Sequence, residues 1–122
     1  MDIERPWRRH PSVDAGLGTS VDLCPGTRLT AEGAPGSEFF IVHAGHVAVQ
    51  RQGREVAVLG PGDHFGEIAL LHPRARRTAT VVAADDLRVQ VFDRREFSTL
   101  LDRDPAFGGR ILRHAVERLL SA

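Results

Sequence analysis

Lysine and tyrosine are absent from this chain, and cysteine, methionine and tryptophan occur once each. The single cysteine, Cys24, excludes an internal disulfide and any multi-cysteine metal site. A reducing setting, the cytoplasm, is expected. Cys24 precedes Pro25 near a strand end and is expected to pack rather than react. No charge of one sign is in excess: basic and acidic residues number 16 each, for a formal net charge of zero. That balance argues against a nucleic-acid coat or a membrane-surface binder, so no direct nucleic-acid or membrane partner is expected. No apolar run approaches the roughly 18 residues of a membrane span. The first 18 residues carry arginines but no apolar stretch of a secretory signal. All the basic residues are arginine, which reads as genomic base composition rather than function.

What is present suits one soluble domain. The chain has 122 residues, 42% hydrophobic and 26% charged. A chain of this size buries about two-thirds of its unfolded surface, enough for a core without disulfides. Residues 1–18 read as an irregular leader, broken by Pro6, Pro11, Gly16 and Gly18. Residues 19–122 read as the folded domain. From Thr19 to Asp93, short apolar or alternating runs are separated by turn residues, the spacing of a β sandwich or barrel. The runs are Ser20–Leu23, Arg28–Ala31, Glu38–His43, His46–Arg51, Glu55–Leu59, Thr78–Ala83 and Leu87–Phe92. Gly53, and Gly45 in the same way, suit turns that need positive φ. Phe39 to Val42 are consecutive apolar residues, so that strand is expected to be buried on both faces.

After Phe92 the period turns helical. Asp93 and Glu96 have capping-box spacing, followed by the Phe97, Leu100 and Leu101 stripe. Asp104-Pro105 reads as a second helix start. Phe107, Ile111, Leu112, Ala115, Val116, Leu119 and Leu120 make its apolar face, of which Ile111, Ala115 and Leu119 are expected to dock on the β layer. Gly108-Gly109 weakens its first turn, where the helix is expected to bend.

The chemistry concentrates between Gly60 and Ala83. Gly66 permits close backbone approach. Glu67 to Leu71 suits a single helical turn, whose first amides lack internal partners and suit phosphate. Arg77 is read as opening the strand through Ala83, on the face of Ala79, Val81 and Ala83. An inward arginine requires an anion, and its fork matches phosphate oxygens. Glu67 would repel phosphate, so it suits a sugar hydroxyl. A Glu67–Arg77 salt bridge is the plainer reading of the same pair.

The run Gly60-Pro61-Gly62-Asp63-His64-Phe65-Gly66-Glu67-Ile68-Ala69-Leu70-Leu71, followed by Arg77-Thr78-Ala79-Thr80-Val81, resembles the phosphate-binding cassette of cyclic nucleotide-binding domains. Such domains occur in cAMP-dependent kinase regulatory subunits, cyclic nucleotide-gated channels and bacterial catabolite-activator-type regulators. The resemblance spans residues 19–121. It implies a mainly β fold, a jelly-roll-type β-roll of about eight strands with a short phosphate-binding helix and two C-terminal helices. It implies a non-catalytic bacterial regulatory module, with no cofactor beyond its ligand, cAMP or cGMP. The amides of Gly66, Ile68 and Ala69 would contact the cyclic phosphate, Glu67 the ribose 2′-OH, and Arg77 the phosphate oxygens. Thr78 would lie beside Arg77. Threonine there occurs in members of both ligand classes, and cAMP is the expected ligand.

Arg74 and Arg76 compete for the Arg77 role, but only Arg77 directly precedes the strand run. No winged-helix output domain is expected after residue 122. The signal is therefore expected to leave through the C-terminal helices, to a protein effector in trans or a homodimer seam using Leu112, Ala115 and Leu119. Two other readings differ in class. One is a degenerate fold serving as an interaction scaffold. The other is a cupin-like metalloenzyme using His43, His46, His64 and Glu67, disfavoured because no His-x-His pair exists.

Overall fold

The computed structural model describes residues 16–120. The irregular leader therefore lies mostly outside the described residues. The described residues form eight strands: β1 (Thr19–Leu23), β2 (Arg28–Thr30), β3 (Glu38–Ala44), β4 (Val47–Arg51), β5 (Arg54–Leu59), β6 (His64–Phe65), β7 (Thr80–Ala83) and β8 (Leu87–Asp93). A one-turn helix, α1 (Ile68–Leu71), sits between β6 and β7, and α2 (Arg94–Arg103) and α3 (Pro105–Leu120) close the chain. The strands form two antiparallel four-stranded sheets, ordered β1-β8-β3-β6 and β2-β7-β4-β5. This is the expected β-roll with terminal helices.

β3 organises both cores, because its alternation serves two partners. Phe40 and Val42 face the second sheet and pack with Val47, Phe65, Val81 and Val89. Phe39 and Ile41 face the helices and pack with Phe92, Phe97, Leu100, Phe107 and Ile111. The consecutive apolar run is thus buried on both faces, as its composition requires. Each such side chain is stabilised by about 1.5–3 kcal/mol relative to exposure.

Local chemistry sets the helix starts. The Asp93 carboxylate accepts from Glu96 N–H at 2.7 Å, and Asp93 N–H donates to Glu96 Oε1 at 3.0 Å. Glu96 Oε2 also accepts from Gly18 N–H at 3.0 Å, tying the start of the described chain to α2. Asp104 caps α3 by accepting from Phe107 N–H at 3.0 Å. Gln52 and Gly53 both take positive φ, closing the β4–β5 hairpin as expected.

Several expectations are corrected. The strand read as opening at Arg77 begins at Thr80, and residues 75–79 approach it without ladder pairing. β6 lies in a stretch where no strand was expected, and its two residues pair with Phe40 and Ile41. Helix α3 runs unbroken through Gly108-Gly109. Only Phe107, Ile111 and Ala115 of its apolar face are buried, and Leu119 is 56% exposed. Leu119 therefore does not dock, and Ala115, expected in a homodimer seam with Leu112 and Leu119, is buried and leaves that seam to the two leucines. Cys24 is exposed rather than packed, because β1 lies at a sheet edge and ends just before it.

Candidate ligand site

A cavity of about 270 Å³ lies between the inner face of the second sheet and α1. All six site residues expected from the sequence line it: Gly66, Glu67, Ile68, Ala69, Arg77 and Thr78. The chain reaches this arrangement through Gly66. Its φ of +95° is open to glycine, and an added Cβ would lie 2.8 Å from Glu38 O and 2.9 Å from Arg77 Nη1. The backbone thus turns sharply out of β6 and starts α1 against Arg77. Leu70 N–H closes the turn on Glu67 O at 3.0 Å. The first amides of such a turn have no partner within it.

Arg77 is 7% exposed. Its Nη1 donates to Gly66 O at 3.1 Å, and its guanidinium carbon lies 5.8 Å from the Phe40 ring centre. Its nearest carboxylate oxygen is Glu38 Oε1 at 3.9 Å, on a half-exposed side chain. Burial pushes the guanidinium below its usual pKa, and the attraction of Glu38 and Glu67 does not offset it. The site therefore holds a desolvated cation short of anionic partners. Arg74 and Arg76 are exposed, as expected of loop charges.

Glu67 is fully buried. It does not bridge directly to Arg77. Its two oxygens accept from Arg118 Nη1 at 2.8 and 2.7 Å, and its Oε1 lies 3.3 Å from His64 Nδ1. Burial raises the pKa of this carboxyl, but the His64 hydrogen bond and the Arg118 charge outweigh it and leave it lowered. Glu67 is thus held ionised at the cavity wall. Arg118 also donates from Nη2 to His64 O at 2.7 Å, and His114 Nδ1 lies 2.9 Å from His64 Nε2. Two α3 side chains therefore reach the cassette.

Neither Arg118 nor His114 was singled out from the sequence. The available clue was spacing: Ile111, His114, Ala115 and Arg118 share one helical face, and a buried glutamate needs a cation. The histidines of the metalloenzyme reading are dispersed. His43 pairs with Gln90 at 2.8 Å, His46 with Asp85 at 2.8 Å, and His64 with Glu67 and His114. Among the described residues, no group of three or more His, Cys, Asp or Glu is placed to hold a metal ion.

The His114 contact carries a pH prediction. Burial lowers its pKa first, and the His64 and Arg118 charges add to this; Glu117 and Glu67 act oppositely. A histidine depressed on folding leaves stability intact above its unfolded value, near 6.5, and stability is lost as pH falls from there through the lower folded value. Melting temperature should fall between pH 7.5 and 5.5, and His114→Gln should flatten that slope. An unchanged slope in the variant would remove His114 from the effect.

A two-sheet roll places a desolvated arginine and a glycine-led turn around a cavity whose chemistry suits a small anion. Comparison with known proteins makes this specific. A family model described as the cyclic nucleotide-binding domain matches residues 20–104, and the chain belongs to that family. It is 36% identical over 105 residues to the Pycsar effector protein PaPycTIR of Pseudomonas aeruginosa, covering 86% of this chain and 34% of that protein. It is 38% identical over 97 residues to a cAMP-dependent protein kinase regulatory subunit of Yarrowia lipolytica, covering 78% of this chain and 25% of that one. Among solved structures, a protein of a cyclic-GMP-dependent signalling pathway regulating bacterial phytopathogenesis superposes with a TM-score of 0.77, at 29% identity, over 93% of both chains. The chain spans about a third or less of those two curated relatives. The domain that defines this family is regulatory and generally non-catalytic. No helix among the described residues is long and apolar enough to cross a membrane.

Proposed function

We propose that this chain is a non-catalytic sensor of a 3′,5′-cyclic nucleotide that passes its signal through α3. The observation carrying the proposal is Arg77, a buried cation short of anionic partners at the cavity wall. In this reading the cyclic phosphate bonds the Arg77 fork and the amides of Gly66, Ile68 and Ala69. Glu67, held ionised, accepts from the ribose 2′-OH, and Thr78 lies beside the phosphate. cAMP, the ligand favoured by the sequence, is also in the name of the Yarrowia relative. Cyclic GMP is the nucleotide named for the solved structure.

The output follows from the shared carboxylate. A hydroxyl bonding Glu67 competes with Arg118 or reorients it, and Arg118 belongs to α3. The ligand thus has different affinity for α3 docked and α3 shifted, which a population shift requires. A protein effector in trans, or a second copy meeting exposed Leu112 and Leu119, would receive the change in the cytoplasm.

Amide hydrogen exchange with and without cAMP or cGMP tests this reading. Protection should rise across 66–71 and change in α3 near Arg118. Unchanged exchange in both segments at saturating nucleotide would contradict it.

A further inference from the structure

We propose that Arg51 reads the base and biases the site toward bases that present a carbonyl. The inference rests on the cyclic nucleotide reading above. Once the phosphate is assigned to Arg77 and α1, the apolar part of the lining, Val49, Val56, Ala57 and Leu59, is left for the base. Arg51 is the charged lining residue that neither the phosphate assignment nor the Glu67–Arg118 pair uses.

The strand register puts it there. Val47 and Val49 pair with Ala83 and Val81 across β4 and β7, facing the core. Two residues on, Arg51 falls on the same inner face. Arg51 and Arg77 both line the cavity, so the two can engage different parts of one nucleotide.

Arg51 also has an unmet need. Its Nε is buried and has no hydrogen-bond partner among the described residues. A guanidinium has donors and no acceptor. It can bond a carbonyl oxygen or a ring nitrogen, but not an exocyclic amine. Guanine, hypoxanthine and uracil offer a carbonyl at the edge where adenine and cytosine offer an amine. Arg51 thus opposes the cAMP preference expected from the sequence.

The test is titration of the whole chain with cGMP, cIMP, cAMP, cUMP and cCMP, for wild type, Arg51→Ala and the volume-retaining Arg51→Gln. Melting curves confirm that each variant folds. Arg51→Ala should weaken the carbonyl ligands that bind by about ten-fold or more. It should leave the amine ligands within about two-fold. Equal losses for cGMP and cIMP are expected, because they share the carbonyl and differ at the 2-amino group. A uniform loss over all ligands would make Arg51 a general charge contact and overturn the proposal, as would no loss in both variants. No binding of any ligand by wild type would overturn the nucleotide reading itself, and this assignment with it.

Discussion

Arg77→Ala should weaken cyclic nucleotide binding by about ten- to hundred-fold or more, while Arg74→Ala should change it by less than about two-fold. A hydrogen bond to a charged group contributes roughly 1.5–3 kcal/mol, and about 1.4 kcal/mol is a factor of ten. Arg77 lies toward the upper end, because its desolvation is already built into the fold. The side chain is also tightly placed: an added Cβ on Gly36 would overlap its guanidinium. Neither Arg74 nor Arg76 replaces it, since both are exposed. Titration of both variants, each shown to melt cooperatively, checks the expectation. Equal effects would remove Arg77 from the phosphate role.

Glu67→Gln should produce the second large effect, with two separable parts. The first concerns the ligand. Binding of the ribonucleotide should weaken by several-fold, as expected for a charged hydrogen bond. Binding of the 2′-deoxy analogue should weaken less, because it lacks the hydroxyl that Glu67 would accept. Equal losses would take Glu67 out of sugar recognition. The second part concerns the fold. Breaking a buried ion pair costs about 3–5 kcal/mol. Here the cost should fall below that range, because Arg118 is partly exposed and solvent screens it. Glutamine also keeps the shape of the acceptor.

The same carboxylate gives an acid-side expectation. The folded pKa of Glu67 is lowered from 4.5, with burial opposing and His64 and Arg118 prevailing. Stability from this group is therefore fully present above about pH 4.5 and is lost as pH falls through the lower folded value. Glu67→Gln should flatten that part of the acid unfolding curve.

Much of this architecture is legible residue by residue. The alternating runs place the strands, because inward and outward side chains strictly alternate and turns need particular residues. The double burial of β3 follows from four consecutive apolar residues. The Asp93–Glu96 box is local and closes as read. The cavity contains the same cassette residues that the sequence singles out.

What escaped the sequence is long-range. β6 has two residues, too few for a period, and exists because β3 offers it an edge. The Arg118–Glu67 pair joins positions 51 apart, so neither helical periodicity nor local spacing specifies it. Leu119 was expected in the core because it extends the apolar stripe. The helix instead spends that position of its inward face on Arg118, next to the buried carboxylate. Arg51 reads as an ordinary strand-end charge until the β4–β7 register turns it inward.

The most direct measurement is isothermal titration of the purified chain with cAMP and cGMP, wild type beside Arg77→Ala. The account predicts saturable one-site binding of a cyclic nucleotide by wild type and its loss or strong weakening in the variant. A folded wild-type protein, free of co-purified nucleotide, that takes up neither ligand would contradict it and leave this roll a scaffold.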